Sequence, residues 1–169
     1  MSDKSFNLSP RPGNCLVLGL GNILMGDEGI GVHALRALEK EALPEGVVLL
    51  DGGTGGFHLM EYLEAYPCVI MVDATLEGEP GSIRILEPRF STQFPTALST
   101  HDIGLKDLIE SLNILGRLPQ IKLVAVSIDR VQPMKLGLSP VLEAAIPKIL
   151  RAVREQVSRS LEEVDKVTS

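Results

Sequence analysis

Leu16-Val17-Leu18-Gly19-Leu20-Gly21-Asn22-Ile23-Leu24-Met25-Gly26-Asp27-Glu28-Gly29-Ile30-Gly31-Val32 is the stretch on which the fold is decided. It opens as a short apolar run of strand type, passes through a glycine-rich turn, and meets two consecutive carboxylates where helical periodicity begins. A strand, a glycine turn and a helix in that order usually cradle phosphate. The dinucleotide fingerprint would use Gly19 and Gly21, but its third glycine position is Leu24. The P-loop spacing is met by Gly21 and Gly26, yet Asp27 and Glu28 stand where Lys and Ser or Thr are needed. Two unit charges ~4 Å apart at an effective dielectric of ~20 interact by roughly 4 kcal/mol, so anions in place of the cation turn attraction for phosphate into repulsion of that order. The turn suits a cation better than a nucleotide. In a purely structural role, Asp27 is a helix N-cap and Glu28 a first-turn acid favoured by the helix dipole.

Working outward, Asn14 to Leu20 is a first strand of the continuous apolar kind buried on both faces of a parallel sheet. A helix is expected from Asp27 to about Ala42, with Ile30, Ala34, Leu35 and Leu38 on its apolar face and His33 on the solvated side. Val47 to Leu50 is a second strand, leading into Asp51-Gly52-Gly53-Thr54-Gly55-Gly56, and a helix follows from Phe57 to Ala65. Cys68 to Val72 is a third strand that ends at Asp73. Ser82 to Leu86 reads as a short edge strand, Pro88 to Ser99 as an irregular loop, and the residues from Leu105 to Leu112 as an amphipathic helix. Ile121 to Ile128 is the last strand, and Ser139-Pro140 opens a C-terminal helix to about Ser158 with Pro147 inside it. The domain is thus expected at residues 14–158, between a mobile extension at 1–13 and a polar tail at 159–169.

The 169 residues suffice for one domain with a substantial core, and 44% apolar with 22% charged residues is ordinary globular composition. A net charge of −6 and a pI near 5.1 argue against a nucleic-acid partner. No apolar run approaches the ~18 residues of a membrane span, and Met1 to Pro12 lacks the apolar segment of a signal peptide, so a soluble cytoplasmic protein is expected. Cys15 and Cys68 are too few and too far apart for a thiolate zinc site or a disulfide framework. Each begins a predicted strand, where cysteine serves as a small buried hydrophobe. A nucleophilic pair of Cys68 with His101 is the chemical alternative.

Strands alternating with helices imply a mainly parallel sheet with helices on both faces, whose strand C-termini share one edge. Ligands bind such sheets outside those ends, where the strand order reverses. If the order begins 2-1-3, Glu28 and Asp73 face each other across the crevice. Two neighbouring carboxylates need a cation or a proton to coexist. His101, in a loop leading into a helix, is a natural third ligand, and two carboxylate oxygens with one imidazole suit a divalent transition metal. Asp73 accepting backbone N–H bonds in its turn, and His101 as a cap or surface residue, are the structural alternatives.

Four ordered segments carry a resemblance: Gly19-Leu20-Gly21-Asn22 through Asp27-Glu28-Gly29-Ile30-Gly31, then Leu50-Asp51-Gly52-Gly53-Thr54, then Val72-Asp73-Ala74, then His101-Asp102-Ile103-Gly104-Leu105. Over about Cys15 to Val157 the chain resembles the hydrogenase maturation proteases, endopeptidases that process the large subunit of nickel-iron hydrogenases. The resemblance implies a three-layer α/β/α sandwich of phosphorylase/hydrolase-like type, with a five-stranded mixed, mostly parallel sheet in which Ser82 to Leu86 runs antiparallel. It implies Glu28, Asp73 and His101 as metal ligands, and Asp51, Glu28 and Asp73 as the acids of an aspartyl-type catalytic site. The implied cofactor is nickel supplied by the substrate large subunit, whose place zinc or cadmium can take in vitro. The implied partner is the large-subunit precursor, which loses a short C-terminal peptide after nickel insertion to a monomeric enzyme without membrane insertion. A nucleotide-binding Rossmann-type protein and a non-catalytic nickel-binding accessory protein are the rival assignments.

Overall fold

Every residue of Cys15–Leu20 (β1) is buried, as a continuous apolar run in a central strand must be. The computed structural model describes residues 12–53, 59–88 and 100–168, without the side chains of residues 100–104 and 168. Within them β1 is followed by a 3-10 turn at Gly26–Gly29, α1 at Ile30–Leu38, β2 at Val47–Gly53, α2 at Met60–Ala65 and β3 at Cys68–Thr75. Then come β4 at Ile83–Leu86, α3 at Thr100–Ile114, β5 at Gln120–Ser127 and α4 at Pro140–Thr168. The strands form one sheet in the order β2-β1-β3-β5-β4. Four are parallel, and β4 alone pairs antiparallel, with β5. This is the expected mixed sheet, and it begins in the 2-1-3 order on which the crevice argument depended.

Side-chain alternation divides the core between two helical layers. Val17, Ile70 and Val124 pack on one face with Leu35 and Leu38 of α1 and Ile149 and Val153 of α4. Leu18, Met71 and Leu123 pack on the other with Leu63 of α2 and Leu108 and Leu112 of α3. The result is an α/β/α sandwich.

Several boundaries differ from expectation, among them the end of β2, which runs on through Asp51 to Gly53. The acids Asp27 and Glu28 lie in the 3-10 turn ahead of α1, and α1 ends at Leu38. β3 continues through Asp73 to Thr75 because β5 goes on pairing with it after β1 has turned away. α3 already includes Thr100, so the backbone of His101 is helical. The supposed tail is helix, since α4 runs to Thr168. Ser160 is buried and Leu161 and Val164 pack on the α1/α4 core, so the buried stripe persists under a polar composition. The extension at residues 1–11 and most of the Pro88 to Ser99 loop lie outside the described residues.

Candidate active site

β1 can enter its turn because Gly21 adopts φ 125, where a Cβ would lie 2.2 Å from the Glu28 carbonyl oxygen. The folded-back turn lets the Glu28 carboxylate accept the Asn22 N–H at 2.6 Å, with Glu28 only 1% exposed. α1 then sits directly on the strand ends: a Cβ on Gly31 would be 2.2 Å from both the Leu20 and Val72 carbonyl oxygens. That close helix–strand approach is the job of the third fingerprint glycine in dinucleotide folds. Here Gly31 does it, so the packing logic of a phosphate turn survives while its charge is reversed.

Asp27 is not the helix N-cap that its position suggested. Met25 occupies the cap position of the 3-10 turn and makes no side-chain cap bond. Asp27, 1% exposed, instead accepts the Ser139 N–H at 2.7 Å just ahead of α4, and donates its own N–H to Gln132 Oε1 at 3.1 Å. The same loop is fastened through Gly26 N–H to the Lys135 carbonyl at 2.8 Å and Lys135 N–H to the Leu24 carbonyl at 3.0 Å. Gln132 and Ser139 were not recognisable as supports beforehand, because they are 105 and 112 positions from Asp27 and carry no local pattern.

Asp51 and Asp73 stand at neighbouring levels but differ in setting. Asp51 pairs in register with Gly19, is exposed, and accepts the Gly53 N–H at 2.8 Å. Gly19 is also the last β1 residue paired with β3, opposite Val72. Asp73 therefore comes immediately after the point where β1 leaves, on a strand that the 3-10 turn packs against. Its Oδ1 accepts the Ala74 N–H at 2.8 Å. By alternation Asp73 falls with Val69 and Met71 on the α2/α3 side, whereas Asp51 falls with Val47 and Leu49 on the α1/α4 side. Asp73 thus lies on a strand next to the turn that carries Glu28, and Asp51 lies on the strand at the other side of β1.

His101 occupies the first turn of α3. That helix feeds β5 at the opposite sheet edge, and its 15 residues span ~22 Å against ~26 Å for the 8 residues of β5. Its first turn therefore stands near the level of the strand C-termini. The His101 side chain lies outside the described residues, and among the described residues no three His, Cys, Asp or Glu side chains group closely enough to hold an ion.

The remaining candidates are structural. His33 is half-buried rather than solvated, and burial pushes its imidazole below the ordinary histidine range. Arg36 pushes the same way, against Glu143 and Asp27. Cys15 and Cys68 are register neighbours, both buried as free thiols at the start of their strands. Cys68 Sγ donates to the Asn14 carbonyl at 3.1 Å, and the hydrogen bond with Cys68 together with burial pushes the Cys15 thiol well up. Cys68 lies ~17 Å of strand away from Asp73, at the edge away from the first turn of α3, so the fold does not join it to His101.

A model of the hydrogenase maturation protease family matches residues 32–156. The hydrogenase 2 maturation protease of Escherichia coli strain K12 is 38% identical over 149 residues, 83% of this chain and 90% of that protein. The hydrogenase expression/formation protein HupD of Rhodobacter capsulatus is 36% identical over 155 residues, 86% of this chain and 72% of that protein. Among solved structures, the hydrogenase maturating endopeptidase HybD from Escherichia coli aligns with a TM-score of 0.80 at 36% identity, covering 87% of this chain and 93% of that one. A fold with this strand order and these likenesses over most of its length identifies the chain as a member of the hydrogenase maturation protease family.

Proposed function

We propose that this chain selects its substrate through a nickel ion carried by the precursor, with Glu28, Asp73 and His101 as the ligands that meet it. The chain is an endopeptidase of the nickel-iron hydrogenase large-subunit precursor, from which it removes the C-terminal extension. The observation that carries the metal reading is the overhang of β3: Asp73 comes up beside the turn that holds Glu28. Two carboxylates at one crevice favour a cation, and an added imidazole suits a divalent transition ion, zinc and cadmium among the substitutes. Glu28 and Asp73 each accept a backbone N–H, from Asn22 and Ala74, which aims their oxygens in advance. An ion held there supplies a Lewis acid for a nearby peptide carbonyl. Asp51, exposed at the next strand end, would orient a water or take its proton.

A nucleotide reading is not favoured, because the Asn22 N–H that would greet a phosphate goes to Glu28. No helix of the described residues is long and apolar enough to cross a membrane. A cytoplasmic setting agrees with two free thiols in the core.

The test offers purified protein three substrates: nickel-loaded precursor, nickel-free precursor and casein. A single cut near the C-terminus of the nickel-loaded precursor alone is expected. Efficient cleavage of the nickel-free form would overturn the substrate-borne metal. A non-catalytic accessory protein would bind the precursor and leave it whole.

A further inference from the structure

Where the loop around residues 129–138 is fastened to the acid turn, it presents large apolar side chains to solvent. Met134 is 97% exposed, Leu136 72% and Leu24 57%. Single exposed apolar residues need no explanation, but a contiguous set does. Met25 and Lys135 pair in a parallel ladder of a single bridge, so Leu24, Met134 and Leu136 all flank the paired residues. Met134 also holds φ 56, a left-handed backbone rare outside glycine. The same loop uses glycine for such a conformation at Gly137, φ 84, yet keeps a methionine at position 134. Strain retained to hold an apolar side chain in water points to something that covers it.

What covers it follows from continuity and charge. The ladder runs straight into Gly26, Asp27 and Glu28, and Asp27 is bonded to this loop through Gln132 and Ser139. A segment that reaches the acid edge for cleavage must pass beside this rim. Exposed Arg130 and Lys135, against the single acid Asp129, make the rim locally basic in a chain of net charge −6.

We infer that Leu24, Met134 and Leu136 form the docking surface for the hydrogenase large-subunit precursor, which presents an apolar contact bordered by carboxylates. This rests on the reading of the acid edge as the place of cleavage. Seating there fixes the precursor relative to Glu28 through the Met25–Lys135 ladder.

The test measures binding apart from cleavage. Nickel-free precursor, which is not expected to be cut, is titrated calorimetrically into the intact chain and into a Met134→Gly/Leu136→Ser variant, with Tm and cleavage of nickel-loaded precursor followed in parallel. Glycine suits φ 56 and both side chains are exposed, so folding is not at risk. Affinity at least ~10-fold weaker in the variant, at unchanged Tm, is expected for loss of two central apolar contacts. Leu24→Ser should weaken binding further. Equal affinity for both forms overturns the inference, as does failure of the intact chain to bind the precursor at all. If the variant only dissociates a dimer of this chain, the rim serves a second copy and the inference also falls. If the intact chain binds through the rim but does not cut, docking stands and the reading of the acids fails.

Discussion

The two edges of the sheet hold their ionisable groups in opposite ways. At the edge where the strands begin, buried Lys122 lies 3.6 Å from Glu163 on α4, and Glu163 is held in turn by the side-chain amide of Gln120. The compensating charge comes from a side chain of the neighbouring element, and the last turns of α4 close the region. At the edge where the strands end, Asp27, Glu28, Asp51 and Asp73 each accept a backbone N–H. A backbone amide aims a carboxylate but brings no full charge of opposite sign. One edge is thus finished by side chains of neighbouring elements, while at the other, where the precursor is proposed to be received, the carboxylates meet backbone amides.

The largest effect should come from removing negative charge at the receiving edge. Glu28→Gln and Asp73→Asn keep side-chain shape and should lower precursor cleavage by at least ~10³-fold, the scale of losing a charge-stabilising group from an active site. Circular dichroism should be unchanged. His101→Ala should be severely impaired in the same assay. Full activity in either acid variant would erase the contrast between the edges.

Gly31→Ala comes next, because its Cβ would press on two backbone carbonyls at 2.2 Å. A loss of about 3 kcal/mol in urea unfolding is expected from such overpacking. A neutral result would mean that α1 does not rest on the strand ends as tightly as described. Asp27→Ala should cost about 1–2 kcal/mol, since it leaves the Ser139 N–H without its carboxylate. It should also slow cleavage, which an acid of purely local importance would not do.

At the finished edge, Cys68→Ala should lower stability by about 1 kcal/mol and leave cleavage intact. Loss of activity without unfolding would instead point to a thiol mechanism. The smallest effect concerns pH. Burial lowers the His33 pKa in the folded state, so the unfolded chain binds a proton first as pH falls. Stability should drop as pH falls below ~6.5 through the folded value, and thermal melts of His33→Gln should show a shallower decline there.

The core of this fold was legible because parallel strands covered on both sides must be apolar throughout, which Leu16 to Leu20 and Val69 to Val72 display openly. Glu28 and Asp73 stood out by interrupting that pattern at strand ends. The contacts that support them were hidden, since Asp27 to Ser139 joins segments 112 positions apart. The end of α4 was missed because Ser160 is buried yet polar, and composition cannot tell a buried serine from an exposed one. His33 was misplaced for a related reason: a helical wheel assigns a face but not the height of what packs beside it.

The place of β5 between β3 and β4 bears on how the enzyme is made. Among the described residues β4 pairs only with β5, whose first residue follows more than thirty positions later along the chain. During synthesis at ~5–20 residues per second, β4 must wait unpaired while α3 and its approach are translated. Ser139, which secures the acid turn, emerges later still. The acid edge is therefore complete only once β5 lies between β3 and β4 and Ser139 has reached Asp27.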